Sequence, residues 1–218
     1  MFAMSTLRQT KAAKIRLALL DALVERLVER PLDGIPTKEL CRAVGISEPT
    51  FYKYFPQKSD LLTYFIQLWS VEGAARAFTV AEADGALAGL HTLFEDTGDG
   101  FVKHPALMLE VIRHQSRMGP EHVLQPLASI DRRLRFGDRP DLDALPDLGL
   151  GALLPDLIGR AICEGALPAS VDVGSLTLAL ACIFFGVPLV VGPRAPDQVP
   201  AAYRAQLALA LAGARAMA

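Results

Sequence analysis

Cysteine is scarce in this chain: Cys41, Cys163 and Cys182 are its three copies among 218 residues. An odd count without paired spacing excludes a disulfide framework and a zinc knuckle, and it is typical of proteins in a reducing compartment. The opening residues, MFAMSTLRQTKAAK, lack the apolar core of a signal peptide. We therefore expect a cytoplasmic protein.

Patterns that carry catalysis are also missing. The sequence contains no Gly-x-Ser-x-Gly, no glycine-rich phosphate loop and no His-Glu-x-x-His. Glu110 and His114 are spaced i, i+4 and could share a metal ion, but two ligands are too few for a stable site. The sequence therefore predicts no catalytic residues, no metal site, no cofactor and no enzymatic activity.

The chain has no large excess of charge, because its formal net charge is −2. The distribution is uneven, however: residues 1–60 carry a net +3, and residues 61–218 carry −5. A basic first quarter on an acidic remainder is the pattern of a small nucleic-acid-binding module on a carrier, although a solvated surface can also produce it.

Alternating strand patterns are absent as well, and helical periodicity dominates, so we predict an all-α fold. From Ala12 to Arg30, one helical face collects the apolar residues Leu17, Leu20, Val24, Leu27 and Val28. A long helix is predicted from about Gln57 to Ala81. Further helices are predicted over 84–102, 105–118, 120–136, 152–166, 172–192 and 198–216.

One long uncharged run, residues 173–193, has the length of a membrane span. It contains glycine, serine, threonine and proline, and no basic cluster flanks it. We therefore expect a helix that is buried on nearly all sides, either inside a helix bundle or at a subunit interface, and no contact with a membrane.

Residues 37–55 have the signals of two short helices joined by a tight turn. Thr37 is predicted to cap a helix that ends at Val44, and Gly45 suits a left-handed turn. Ser47 is predicted to cap the second helix, which ends at Phe55 because Pro56 follows. Two such helices form a helix-turn-helix unit.

The two faces of this unit differ in character. Its predicted inward residues are Leu40, Val44, Ile46, Phe51 and Phe55, whereas the second helix exposes Glu48, Thr50, Lys53 and Tyr54. A recognition helix presents its N-terminal residues to base edges in the major groove. Helix N-termini also offer N–H groups to phosphates, and such termini carry Thr37, Lys38 and Lys58.

The stretch PTKELCRAVGISEPTFYKYFPQKSDLL resembles the helix-turn-helix of the tetracycline-repressor (TetR) family of bacterial transcriptional regulators. The resemblance lies in the turn Gly45-Ile46-Ser47, the segment from Tyr52 to Phe55, and Lys58 followed by Asp60-Leu61. It covers about residues 14–65, while the remainder agrees with the family in length and helical character. It implies a DNA-binding domain at 1–57 and an all-helical effector-binding and dimerisation domain at 58–218.

The resemblance also implies roles for single residues. Thr37, Tyr52 and Lys58 would contact phosphates, and Thr50, Lys53 and Tyr54 would face the groove. The full set of predicted DNA-binding residues is Thr37, Lys38, Ser47, Glu48, Pro49, Thr50, Tyr52, Lys53, Tyr54 and Lys58. Pro49 stands where the family often has glycine, and Gln57 replaces a Ser/Thr-type cap. The competing interpretation is that Tyr52 packs between helices and that the lysines are ordinary surface residues.

Large apolar side chains with scattered polar ones occupy the middle of the chain. The predicted effector-binding residues are Trp69, Phe94, Phe101, Met108, Ile112, Arg113, Gln115 and Met118. Helical bundles place small-molecule sites among such residues, although any single one of them is better explained as plain core. An apolar lining favours an apolar or aromatic effector held by one or two polar groups.

Together these features predict a ligand-responsive regulator, most simply a repressor. It would bind a palindromic operator on double-stranded DNA as a homodimer joined by its C-terminal helices, and a small, mostly apolar effector would release it. The alternative is an all-α small-molecule binding protein or enzyme without affinity for DNA.

Overall fold

The computed structural model describes residues 7–118, 127–139 and 150–216. These residues contain ten α-helices and no strand, which confirms the predicted all-α fold. The helices are α1 (Leu7–Leu27), α2 (Thr37–Val44), α3 (Glu48–Tyr54), α4 (Asp60–Asp84), α5 (Ala86–Lys103), α6 (Pro105–Arg117), α7 (Ser129–Phe136), α8 (Leu150–Cys163), α9 (Val173–Val191) and α10 (Val199–Ala216). Short 3-10 turns occupy Leu32–Gly34 and Pro196–Gln198.

Contacts divide the described residues into two compact units. The first contains residues 7–69, 113–118 and 127–139, and the second contains 70–112 and 150–216. Helices α4 and α6 each contribute residues to both units. The domain boundary between residues 57 and 58 stays a prediction.

Most helix boundaries agree with the sequence prediction to within about three residues, although α1 runs from Leu7 to Leu27 rather than from Ala12 to Arg30. The long helix α4 begins at Asp60 rather than near Gln57 and runs on to Asp84. The helix predicted over 120–136 is described as α7 from Ser129 onward, and residues 119–126 lie outside the described part.

In the first unit, α1 packs against both α2 and α7. Leu20 and Leu27 are buried as predicted, and Leu19 and Leu23 are buried as well. Because α1 has two neighbouring helices, it buries a wider face than the predicted apolar stripe. This explains why more of its residues are buried than predicted. The prediction for Val28 is wrong: it is 76% exposed because α1 ends one residue before it.

Local signals decide the geometry of α2 and α3. Gly45 adopts a φ of 72°, a left-handed conformation that glycine reaches without a steric penalty. Ser47 caps α3 as predicted, since its side chain accepts a hydrogen bond from the backbone N–H of Thr50 at 3.4 Å. The prediction that Thr37 caps α2 is wrong, because Pro36 occupies the N-cap position and no side chain caps this helix.

Three of the five predicted inward residues of the helix-turn-helix are buried, namely Leu40, Phe51 and Phe55. The rings of Phe51 and Phe55 lie 5.9 Å apart, and Phe55 also contacts the ring of Tyr64 on α4 at 5.7 Å. Aromatic contacts at these distances stabilise the packing of α3 against α4. The two phenylalanines therefore hold α3 in place and are not available to stack on bases.

The second unit is a helical bundle in which α5 packs against α8 and α10, and α9 packs against α8 and α10. Its aromatic centre is formed by Phe94, Phe184 and Tyr203, with Phe94 5.5 Å from Phe184 and 5.3 Å from Tyr203. The buried Tyr203 hydroxyl donates a 2.6 Å hydrogen bond to the Phe184 carbonyl. Its polar atom is thus satisfied inside the core.

Helix α9 buries a single face within the chain. Its buried residues recur every four positions, namely Leu176, Leu180, Phe184 and Pro188. Of its most apolar 18-residue window only 22% is buried, and by length and composition this helix could cross a membrane. The first predicted alternative, a helix buried on nearly all sides inside a helix bundle, is therefore wrong. Burial at a subunit interface stays a prediction.

Candidate nucleic-acid interface

Helix α3 presents a polar face at its N-terminal end. Ser47, Glu48 and Pro49 are exposed, and Thr50 is half-buried. The hydroxyls of Ser47 and Thr50 lie 2.9 Å apart and share a hydrogen bond, which orients both at the start of the helix. Because Ser47 accepts a hydrogen bond from one N–H group of the first turn, the N-terminal end of α3 is already ordered without a binding partner.

Further along α3, Lys53 is exposed and Tyr54 is half-buried. The inward-facing Phe51 fixes the rotation of the helix, so these side chains lie away from the core. A lysine and hydroxyl-bearing side chains can donate hydrogen bonds to base edges and to phosphates. The surface has the chemistry of a DNA-reading helix.

Tyr52 links the two short helices. It is 48% exposed, its ring meets Phe51 edge-on at 5.3 Å, and its hydroxyl donates to the Thr37 Oγ1 atom at 3.5 Å. The ring is therefore packed on one side and open on the other. This contact brings together two of the predicted phosphate ligands, one from the start of α2 and one from α3.

The first turn of α2 adds a second polar group to the same surface. Thr37 is half-buried and Lys38 is exposed at this turn. The first backbone N–H groups of any α-helix have no acceptor within the helix, and the helix dipole favours an anion there. Such a turn, next to the hydroxyl of Tyr52, suits a phosphate.

Lys58 is in a different environment from the other candidates. Its half-buried side chain donates hydrogen bonds from Nζ to the carbonyl oxygens of Leu32 and Ile35, at 2.6 and 2.7 Å. Gln57 stands where a capping Ser or Thr was expected. Its backbone N–H donates a 2.7 Å hydrogen bond to the Asp60 carboxylate, which fixes its position. The start of α4 is therefore anchored despite the departure from the family pattern.

An ion pair that the sequence analysis missed joins α1 to α2. The Glu39 carboxylate accepts hydrogen bonds from Arg26 Nε and Arg30 Nη2, both at 2.8 Å. The bond to Arg30, followed by that to Arg26, lowers the pKa of Glu39 below its usual range. The spacing of the two arginines, i and i+4 in a helix predicted to reach Arg30, was a signal that could have revealed them as a pair, although the observed α1 ends at Leu27.

A second missed group lies in the first unit, where Asp131 of α7 is 1% exposed. It accepts hydrogen bonds from the guanidinium of Arg16 and from the hydroxyl of Tyr64. Burial, followed by the bond to Asp131, raises the pKa of Tyr64. No local pattern around Asp131 could have indicated a partner 115 residues away.

The predicted effector-binding residues are distributed over both units. In the second unit Phe94, Phe101, Met108 and Ile112 are buried, and Phe94 belongs to the aromatic centre. In the first unit Arg113 is exposed, and the half-buried residues are Trp69, Gln115 and Met118. Their role in effector binding stays a prediction.

A cavity of about 330 Å³ lies within the second unit, between the start of α9 and the end of α10. Asp172, Leu176 and Leu209 are among its lining residues, and none of the predicted effector-binding residues lines it. Asp172 is already engaged as the cap of α9, because its carboxylate accepts a hydrogen bond from the Ser175 N–H at 2.7 Å.

Metal ligands do not gather anywhere in the part of the chain that the structure describes, since no group of three His, Cys, Asp or Glu side chains could hold an ion there. His114, one of the pair considered from the sequence, shares a 2.8 Å hydrogen bond with the Thr63 hydroxyl of α4. Within the first unit its ring thus joins α6 to α4.

Sequence comparison identifies the N-terminal segment. The family model of bacterial regulatory proteins, tetR family, matches residues 19–65. The HTH-type transcriptional regulators EthR of Mycobacterium tuberculosis and Mycobacterium bovis are 46% identical over 46 residues. This stretch is 21% of the chain and 21% of the length of those relatives, so the chain matches about a fifth of each of them.

Solved structures extend the similarity in fold. FadR of Thermus thermophilus, a TetR-family transcriptional repressor in complex with lauroyl-CoA, is 20% identical with a TM-score of 0.66, over 91% of this chain and 94% of that one. CprB of S. coelicolor A3(2), a TetR-family protein, is 15% identical with a TM-score of 0.59, over 93% and 89%. At these identities the similarity is one of fold.

Proposed function

We propose that this chain, which carries a helix-turn-helix of the TetR family and shares the fold of that family's regulators, is a homodimeric, ligand-responsive repressor. It binds a palindromic operator in the cytoplasm and is released by a small, mostly apolar effector. The strongest support for the proposal is the hydrogen bond between Tyr52 and Thr37. It lies on the surface next to the exposed polar face of α3.

The DNA contacts follow from this surface. Ser47, Glu48, Pro49, Thr50, Lys53 and Tyr54 form the groove-facing set on α3. Thr37, Lys38 and Tyr52 grip the phosphates beside it, with the first turn of α2 aimed at the backbone. Phosphate contacts set the register of the helix-turn-helix unit, here called the head, on the duplex, and the groove-facing side chains read the sequence.

The dimer rests on the exposed apolar side chains of the last two helices. Leu178, Leu189 and Val190 of α9 are 66%, 47% and 76% exposed, and Leu209 of α10 is 66% exposed. A concentration of apolar surface on two adjacent helices marks an interaction site. Two such pairs, one from each copy, form a four-helix interface with two-fold symmetry.

Two-fold symmetry fixes the form of the operator. Two heads related by a two-fold axis contact two inverted half-sites, separated by about one turn of the double helix or a multiple of it. The half-site spacing is therefore a property of the dimer, whereas the base preference within each half-site is a property of α3.

An effector acts by binding one arrangement of the heads better than another. It shifts the population away from the arrangement that matches the operator, to the extent that its affinities for the two differ. Support for an apolar effector comes from the apolar candidates Phe101, Met108 and Ile112 and from the acyl chain of the lauroyl-CoA in the FadR complex. Control of this kind needs no chemical conversion, so we propose that the chain is not an enzyme.

The test is selection of binding sites from a random pool of double-stranded DNA by the purified full chain. We expect enrichment of one inverted repeat, and the variant Lys53→Glu should abolish it. The matched control Lys103→Glu changes an exposed lysine of α5 and should leave the selection intact. A pool without enrichment, together with a small molecule retained in native mass spectrometry, would establish the alternative of a binding protein without DNA affinity.

A further inference from the structure

We infer that Lys58 is a positioning residue that sets the start of α2 for DNA binding, and that its ammonium group does not bind a phosphate itself. The inference rests on the proposed function, because it assigns a role within the same DNA-binding surface. The sequence resemblance alone implies the opposite, namely a direct phosphate contact.

The geometry around Lys58 shows a clamp. Its Nζ atom donates to the carbonyl oxygens of Leu32 and Ile35 at 2.6 and 2.7 Å, which ties the start of α4 to the 3-10 turn that precedes α2. The side chains of Leu32 and Ile35 are 8% and 0% exposed, so the turn is also held from its apolar side. The 3-10 turn is therefore fixed both by its buried apolar side chains and by the ammonium group of Lys58.

Electrostatics explains why this arrangement is stable. A cation at the N-terminal end of a helix is disfavoured by the helix dipole, and Lys58 lies just before α4. Two carbonyl oxygens compensate for this, and hydrogen bonds from an ammonium group to carbonyls are charge-assisted. An ammonium has three donors, of which two are in use here.

The base of the clamp is rigid. The Asp60 carboxylate accepts the Gln57 N–H at 2.7 Å, which fixes the backbone on both sides of Lys58. At the other end, Ile35 lies two residues before Thr37, whose hydroxyl accepts from Tyr52. Holding the Ile35 carbonyl therefore holds the first turn of α2 in the position where Thr37 and Lys38 meet the phosphate backbone.

The decisive experiment measures operator affinity against salt for Lys58→Met, which keeps the aliphatic stem and removes the ammonium. We expect affinity to fall about tenfold, as loss of hydrogen bonds to a charged group implies, with an unchanged slope of log K against log salt. The matched variant Lys38→Met, at an exposed lysine of the phosphate-contacting first turn of α2, should instead lower that slope by about one unit.

Hydrogen exchange of the free protein supplies the second measurement. Removing the clamp should increase deuterium uptake of the amides in residues 32–38 in Lys58→Met, whereas Lys53→Met, on the exposed face of α3, should leave it unchanged. A fall in the salt slope of about one unit for Lys58→Met, or uptake equal to that of the wild type, would overturn the inference.

Lys58→Arg provides a variant that keeps the charge. A guanidinium binds phosphate at least as well as an ammonium does, but its planar fork does not reproduce the geometry of one nitrogen that donates to both carbonyls. The clamp therefore predicts weaker operator binding, and wild-type affinity would contradict it. If the wild type selects no DNA at all, the proposed function fails, whereas hydrogen exchange still decides whether the clamp exists.

Discussion

The guanidinium of Arg16 on α1 donates to both carboxylate oxygens of Asp131 on α7, at 3.0 and 2.6 Å. Tyr64 of α4 donates its hydroxyl to the same carboxylate, so three helices of the first unit meet at one buried anion. A two-pronged contact of this kind fixes orientation as well as distance. Within this unit it determines how α1, which also packs against α2, lies against α7.

Replacing Asp131 with Asn should be strongly destabilising. The change leaves the Arg16 guanidinium, whose side chain is 22% exposed, without its buried countercharge. Breaking one half of a buried pair costs about 3 kcal/mol or more in the free energy of unfolding. Urea denaturation measures the loss. The double variant Arg16→Met with Asp131→Leu should lose less than Asp131→Asn alone, because no unpaired charge remains, and an equal or larger loss would contradict this explanation.

Glu39 should make the stability of the chain depend on acidity. Its pKa is lowered in the folded state from a usual value of 4.5 by Arg30 and Arg26. A depressed folded-state pKa contributes stability that is fully present above about pH 4.5 and is lost as the pH falls through the folded-state value. The difference in urea midpoint between wild type and Glu39→Gln should therefore be constant above pH 4.5 and shrink below it. In a background lacking both arginines, the shrinkage should disappear.

Gly89→Ala should destabilise the second unit. A Cβ atom at this position on α5 would lie 2.5 Å from the backbone carbonyl oxygen of Ala77 on α4, and a backbone atom cannot move aside cheaply. Overpacking of this kind costs about 1–3 kcal/mol. The matched control is Gly159→Ala on α8, where an added Cβ atom would have no atom beyond its own helix within 4 Å. Alanine should therefore stabilise α8 by roughly 0.5–1 kcal/mol relative to glycine. Equal melting temperatures for the two variants would refute the packing argument.

Leu178→Glu should separate the proposed dimer. The side chain is 66% exposed on the uncharged α9 and would carry a charge into an apolar interface. We expect monomers in sedimentation velocity, with binding to a single half-site retained and binding to the full palindrome weakened. Val102→Glu on α5, at a site 49% exposed in the chain, is the control and should remain dimeric. A dimeric Leu178→Glu would place the interface elsewhere.

The helix-turn-helix could be predicted from the sequence because its determinants are local. Gly45 reaches a left-handed φ wherever it is placed, Ser47 caps the helix that follows it, and Pro56 restricts the residue before it. The inward direction of Phe51 and Phe55 follows from their i, i+4 spacing. The prediction for Thr37 failed on a local point, since Pro36 takes the N-cap position.

The partners of charged groups could not be predicted in the same way. Lys58 looks like a free phosphate ligand in the sequence, and only the folded chain brings the carbonyls of Leu32 and Ile35 to its ammonium group. Val28 continues the apolar stripe of α1 and is nevertheless exposed, because the end of a helix is set by the turn that follows as well as by the stripe.

The sequence by itself determined the elements and the exposed face of α3 for which DNA reading is proposed, since capping, turn geometry and helical spacing act over a few residues. Tertiary structure decided which buried charge meets which partner, as with Arg16 and Asp131, and which face of α9 is buried. The physical reason is distance along the chain. Long-range contacts depend on how whole helices pack, and that information is spread over the entire core rather than held in any one stretch of residues.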